Sequence, residues 1–200
     1  MSRRHATCPR WLLLLACSGL AAVALGAAVP PAKTPVRLVT LEGEAVDPFA
    51  QDGAKVLVFV FVRTDCPISN RYAPRMQAIH SAYADAGVRF FLVYPDPDER
   101  PDDIRTHIRE YGMPGTPLRD PDHDLVRRAG ATMTPEAAVF TAAGDLIYRG
   151  RIDNRFVSYG KARPRATRTD LRDTLDALLA GKTVPFTTTP AIGCFIPDLE

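Results

Sequence analysis

The distribution of apolar and polar residues predicts a central unit of two buried strands joined by a helix. Residues 55–62 form a continuous β-branched and aromatic run, which is typical of a strand buried on both faces. Apolar residues then recur at helical spacing, at Tyr72, Met76, Ile79 and Tyr83. Gly87 ends this pattern, and 88–94 form a second buried run. The unit is therefore predicted to be a parallel βαβ unit with a right-handed crossover.

Weaker patterns precede and follow this unit. Residues 36–41 alternate like an exposed strand and lead to a turn at Gly43. Residues 101–111 predict an amphipathic helix, whose acidic first turn matches the helix dipole. Apolar groups around Leu118 and at 125–126 predict a short segment and a short helix. These elements extend the predicted sheet and cover it.

The last part of the chain predicts a β-hairpin and a final helix. Residues 137–140 and 146–148 flank a Gly-Asp turn, as in a hairpin. Leucines at helical spacing follow, with Thr167 and Asp170 as the expected capping box. The Pro-containing tail 182–200 is expected to be irregular. The order of elements predicts an α/β fold with a central mixed β-sheet flanked by helices.

The first 28 residues have the pattern of a cleavable export signal. Three arginines precede an apolar run at 11–25, and small residues at 26–28 close it. The run is shorter than a membrane-spanning helix requires. Residues 14–17 loosely resemble a lipoprotein cleavage box, but the apolar run continues past Cys17. We therefore expect a periplasmic or extracellular protein with no membrane span after removal of the signal.

Removal of the signal also changes the charge and the cysteine count. The formal net charge of the full chain is +2, and the three signal arginines account for it, so nothing indicates a nucleic-acid partner. Cys66 and Cys194 remain, and in an oxidising compartment two cysteines form either a structural disulfide or a redox pair. Two thiolates do not complete a tetrahedral metal site, and the histidines lack ligand spacing. We expect no metal and no cofactor.

Cys66 is the strongest candidate for chemistry, because it lies between the first buried strand and the following helix. Such junctions lie at the carboxyl ends of strands, where α/β proteins place their sites. Pro67 suits the first turn of the helix, and the free N–H groups there lower the pKa of a nearby thiol. Ser69 can donate a hydrogen bond to a thiolate. The alternative is an inert, buried cysteine.

Three motifs carry a resemblance to a known family. They are FVFVRTDCPISNRYAP around Cys66, ATMTPEAAVF around Pro135, and LIYRGRID around Arg151. With the order of elements, they resemble the thioredoxin-like superfamily, and within it the peroxiredoxin-like redoxins related to alkyl hydroperoxide reductase and thiol-specific antioxidant proteins. The tail motif TTTPAIGCFIPD is similar to the C-terminal cysteine segment of one subgroup. The resemblance implies a thioredoxin-like fold and a cis-proline at Pro135 beside Cys66.

The sequence departs from both groups at specific positions. Ser69 occupies the position of the second cysteine of thioredoxins, so a dithiol within one helical turn is impossible. Phe59 and Arg63 occupy the positions where typical peroxiredoxins have proline and a hydroxyl residue. Thr64 is displaced by one residue from that hydroxyl position.

The resemblance implies an exported thiol-dependent oxidoreductase that reduces peroxide with electrons from an external thiol donor. The expected site residues are Cys66, Cys194, Thr64, Ser69, Pro135 and Arg151. Cys66 is the attacking thiolate, Cys194 the resolving cysteine, and Arg151 a cation that approaches the thiolate. Two alternatives stay open, a thiol-disulfide oxidoreductase for exported proteins and a non-catalytic binding module with a structural disulfide.

The predicted organisation along the chain has four parts. A signal peptide at 1–28 and a linker at 29–35 precede a single thioredoxin-like redoxin domain at 36–181. The tail at 182–200 carries Cys194.

Overall fold

The computed structural model describes residues 35–50, 53–197 and 199. The predicted signal peptide and all but the last residue of the predicted linker lie outside the described residues. Within the described part of the chain, no helix has the length and apolar character needed to cross a membrane.

The described residues form four α-helices and eleven strands. The helices are α1 (Pro67–Tyr83), α2 (Pro101–Tyr111), α3 (Asp124–Ala129) and α4 (Asp170–Leu179). The strands are β1 (Leu38–Val39), β2 (Ala45–Val46), β3 (Val56–Phe61), β4 (Val88–Tyr94), β5 (Thr116–Arg119), β6 (Met133–Thr134), β7 (Glu136–Thr141), β8 (Leu146–Gly150), β9 (Phe156–Ser158), β10 (Lys161–Ala162) and β11 (Cys194–Phe195).

Seven strands form one mixed sheet in the order β2-β1-β5-β4-β3-β7-β8. β3 pairs in parallel with β4 and antiparallel with β7, so it lies inside the sheet. β5 continues the parallel part, and the β7–β8 hairpin forms the antiparallel end. This arrangement confirms the predicted α/β, thioredoxin-like fold with its mixed sheet.

The two faces of β3 contact different parts of the core. Val58 and Val60 lie in a cluster with buried residues of α1 and α4, whereas Phe59 and Phe61 lie in a second cluster with residues of α3. Phe59 stacks on Phe91 with ring centroids 5.0 Å apart. The residue that replaces the proline of typical peroxiredoxins is therefore a core residue. Burial on both faces explains why the sequence of β3 does not alternate.

The tail is more ordered than its sequence predicts. β11 pairs antiparallel with β6, and Cys194 is opposite Thr134. Further upstream, the backbone N–H of Thr189 donates to the carbonyl of Arg149 at 3.1 Å. Most of the tail lacks regular secondary structure, as expected, but hydrogen bonds hold it against β8 and β6.

The predicted capping box of the last helix is wrong. The N-cap residue of α4 is Thr169, and the side chain of Thr167 instead accepts a hydrogen bond from the Asn154 amide at 2.9 Å. Asp170 is fully buried and pairs with Arg151. The Asp170 carboxylate therefore stabilises a tertiary contact with Arg151. A local sequence motif does not distinguish this role from helix capping.

Candidate active site

Cys66 lies between β3 and α1, at the N-cap position of the helix. Its backbone is extended, with φ −83° and ψ 109°, and Pro67 begins the helix. The Cys66 residue is 0% exposed. In its protonated form, Cys66 donates a hydrogen bond from its sulfur to the carbonyl oxygen of Thr134 at 3.1 Å. The helix start and the segment before β7 together hold the sulfur in place.

The structure brings Cys194 directly to Cys66. The Cys194 and Cys66 sulfurs lie 2.7 Å apart, although the two residues are 128 positions apart in sequence. Both are free cysteines, and Cys194 is partly exposed. A disulfide has an S–S distance of about 2.05 Å, so bond formation requires only a small displacement. The sequence-predicted partners therefore meet.

Pro135 lies at this junction. The Thr134–Pro135 peptide bond is cis, as the resemblance implied. The tail passes so close that a Cβ atom on Gly193 would overlap the Thr134 carbonyl oxygen. Gly193 therefore permits the approach that carries Cys194 to Cys66. This role of Gly193 was not predicted, although a glycine directly before the tail cysteine was its signal in the sequence.

The two thiols have opposite pKa shifts. Burial raises the pKa of Cys66, but hydrogen bonding to its ionised form from Cys194, Ser69 and Thr134 outweighs burial and lowers the pKa overall. Burial and the neighbouring Cys66 raise the pKa of Cys194 to about 12. Cys66 is thus the thiolate of the pair, and Cys194 is the thiol that donates to it.

Ser69 supports this assignment from one turn into α1. Its side chain is fully buried, and its hydroxyl makes no hydrogen bond to another described residue in this structure. The hydroxyl and the backbone N–H of Ser69 nevertheless lower the pKa of Cys66. Because a thiolate accepts hydrogen bonds more strongly than a thiol, the hydroxyl favours the ionised form of Cys66.

Thr64 faces Glu99 rather than the sulfur. The backbone N–H of Thr64 donates to Glu99 Oε1 at 2.6 Å. The Thr64 carbonyl accepts from the Asn70 amide at 3.2 Å. Both backbone groups of Thr64 are therefore held. Thr64, which was expected in the active site, thus anchors the loop before Cys66 through its backbone.

Glu99 and the polar chain behind the loop carry no motif in the sequence and were not predicted. Burial raises the pKa of Glu99 to about 7. Asn70 contacts His107 Nε2 at 2.8 Å, and His107 Nδ1 contacts the Tyr94 hydroxyl at 3.0 Å. Burial lowers the pKa of His107 to about 4, so the ring is neutral at neutral pH. This chain links the Cys66 loop to β4 and α2.

Arg151 has a different partner from the one expected. Its guanidinium contacts both carboxylate oxygens of Asp170, at 2.7 and 3.2 Å. Arg63 likewise pairs with Asp65 and Asp96 at 3.0 Å each. Among the contacts of the described residues, neither arginine reaches the Cys66 sulfur. Hydrogen bonds therefore lower the pKa of Cys66, in place of the expected cation.

The described ranges contain no group of three or more His, Cys, Asp or Glu side chains that could hold a metal ion. His107 is hydrogen-bonded through both ring nitrogens, and His123 Nε2 contacts the Pro95 carbonyl at 2.8 Å. These two histidines serve the packing of the domain.

Comparison with known proteins adds a family and a fold. The Redoxin family model matches residues 24–162. An uncharacterized conserved protein from Geobacillus kaustophilus is 26% identical with a TM-score of 0.70, covering 81% of this chain and 87% of its own. A hypothetical protein from Sinorhizobium meliloti is 25% identical with a TM-score of 0.65, covering 81% and 90%. No curated protein matches the chain.

Proposed function

Because this chain belongs to the Redoxin family and so fits a thiol-based oxidoreductase, we propose that Cys66 and Cys194 form a redox pair that reduces disulfide bonds. The observation that carries the proposal is the 2.7 Å approach of a thiol to a sulfur at the start of a helix. Ser69 excludes a dithiol within one helical turn. The tail supplies the second thiol instead.

The proposed reaction has two exchange steps. The Cys66 thiolate attacks one sulfur of the substrate disulfide, and the other substrate sulfur leaves as a thiolate. Cys194 then loses its proton and attacks Cys66 in the mixed disulfide, which releases the second substrate sulfur. Two electrons pass to the substrate, and the protein is left with a Cys66–Cys194 disulfide. Because Cys66 is fully buried, β11 must move aside before the first step.

Peroxide reduction is the second candidate. The nearby Cys194 favours it, because a Cys66 sulfenic acid would meet a resolving thiol at once. The surrounding groups favour it less, since Thr64 contacts Glu99 and Arg151 pairs with Asp170. Arg151, which was expected to approach the thiolate, is therefore engaged elsewhere, and the Thr64 backbone is held by Glu99. Disulfide exchange requires neither group.

The setting of the reaction is part of the same proposal. An export signal at 1–28 and a linker at 29–35 would place the redoxin domain, 36–181, in an oxidising compartment, where disulfides persist. Its substrates would be disulfides of exported proteins, and an external thiol would return it to the reduced state. Mass measurement of the mature protein recovered outside the cytoplasm tests the cleavage site.

A comparison of three proteins tests the proposed activity. Wild-type protein, Cys66→Ser and Cys194→Ser are reduced and mixed separately with oxidised insulin and with hydrogen peroxide. We expect wild type to release insulin thiols, Cys66→Ser to be inactive, and Cys194→Ser to retain an insulin chain on Cys66. Consumption of peroxide without insulin reduction would favour the second candidate. No reaction with either, together with a Cys66–Cys194 bond that survives mild reductant, would instead identify a structural disulfide.

A further inference from the structure

The two sulfurs of the pair differ in their access to solvent. Cys66 is 0% exposed and belongs to the start of a 17-residue helix. Cys194 is partly exposed and lies in the two-residue strand β11, near the end of the chain. A molecule that approaches the oxidised pair therefore meets Cys194 first. An adduct on Cys194 could also move outward with its short strand, whereas an adduct on Cys66 could not.

The two sulfurs also differ as leaving groups. The start of α1 and the Ser69 hydroxyl lie beside Cys66, where they favour a thiolate. The raised pKa of Cys194 makes it the poorer leaving group. In thiol-disulfide exchange, the sulfur of lower pKa leaves faster. The exposure of Cys194 and the better leaving ability of Cys66 thus both favour attack at the Cys194 sulfur.

We propose that the thiol donor reduces the oxidised protein by attacking Cys194, while the disulfide substrate is attacked by Cys66. This inference rests on the proposed function. The donor thiolate forms a bond to Cys194 Sγ, the Cys66–Cys194 bond breaks, and Cys66 leaves with the electron pair as a thiolate. A second donor thiolate attacks the donor sulfur of the adduct. Cys194 is released and takes up a proton, and the donor becomes a disulfide.

The position of the first adduct tests this assignment. Oxidised protein is mixed rapidly with 2-mercaptoethanol as a neutral probe, quenched in acid, digested with pepsin and mapped by mass spectrometry at low pH. We expect the mercaptoethanol adduct on the peptide that contains Cys194 and a free thiol on Cys66. An adduct on Cys66, or equal amounts on both, would overturn the inference.

Ser69→Ala provides a second test, with the exposed Ser81→Ala in the same helix as its matched control. If Cys66 is the leaving group, loss of the Ser69 hydroxyl, which is available to donate to the departing thiolate, should slow opening by mercaptoethanol about two- to fivefold. Ser81→Ala should open at the wild-type rate. An unchanged rate in Ser69→Ala would contradict the inference while leaving the proposed function intact. If reduced wild type does not form the Cys66–Cys194 disulfide when it is mixed with oxidised insulin, the proposed function itself is contradicted.

Discussion

Hydrogen-bond donors around its sulfur lower the pKa of Cys66. Cys194, Ser69 and Thr134 all stabilise the ionised form, and together they outweigh the burial that raises the pKa of the thiol. Arg63 and Arg151 form ion pairs with carboxylates instead. The site therefore depends on neutral donors whose contributions can be removed one at a time.

Removal of a donor should raise the pKa of Cys66. In reduced wild type we expect the thiolate absorbance to titrate with a midpoint below that of an ordinary thiol, about 8.5. Cys194→Ala and Ser69→Ala should each shift this midpoint upward, whereas Ser81→Ala should leave it unchanged. A wild-type midpoint at or above the ordinary value would contradict the account of the site.

Glu99 should make stability depend on pH. Its folded pKa of about 7 lies above that of an exposed glutamate, so its stabilising effect is complete below the unfolded pKa and is lost as pH rises toward 7. Because glutamine does not ionise, Glu99→Gln lacks this pH dependence. The free energy of unfolding of Glu99→Gln, relative to that of wild type, should therefore rise by about 3 kcal/mol between about pH 4 and pH 8. Chemical denaturation across this range measures the difference.

The control for this prediction is the exposed Glu44→Gln, whose stability relative to wild type should show no comparable change with pH. A Glu99→Gln difference that stays constant over the same range would show that Glu99 has an ordinary pKa. The loop before Cys66 would then be held by an ionised carboxylate at all these pH values.

At the scale of elements, β11 covers the Cys66 sulfur. It contributes only two residues to its ladder with β6, and Gly193 allows it to approach Thr134. The strand delivers the second thiol and at the same time blocks access to Cys66. Opening of β11 should therefore limit the attack of Cys66 on large substrates.

Gly193→Val should displace β11, because the added side chain would overlap the Thr134 carbonyl. In a Cys194→Ser background, we expect alkylation of Cys66 by N-ethylmaleimide to accelerate at least about fivefold. Phe195→Ala in the same background is the matched control, since this side chain is 76% exposed. Equal alkylation rates for both variants would show that β11 does not control access to Cys66.

At the scale of the whole molecule, the buried Arg151–Asp170 pair joins the end of the β7–β8 hairpin to α4. Arg151→Met leaves the fully buried carboxylate of Asp170 without its main partner, so the free energy of unfolding should fall by about 3 kcal/mol. The midpoint of the Cys66 titration should not move. A shifted midpoint with unchanged stability would show that Arg151 influences the ionisation of Cys66.

The sequence predicted the elements with long, regular patterns. β3, α1 and β4 follow from continuous apolar runs and helical spacing, and Cys66 follows from its place between them. β11 carried no local signal, because a two-residue strand is defined only by its distant partner. The capping role predicted for Asp170 failed for a similar reason, since a carboxylate looks the same in sequence whether its partner is local or distant.

The most direct test of the redox pair is the state of wild-type protein after a single turnover with oxidised insulin. We expect reduced protein to lose two hydrogens, to contain a Cys66–Cys194 disulfide in its peptide map, and to release insulin thiols in matching amount. A protein that stays reduced while the insulin remains oxidised would contradict the account. So would release of insulin thiols without formation of the Cys66–Cys194 bond.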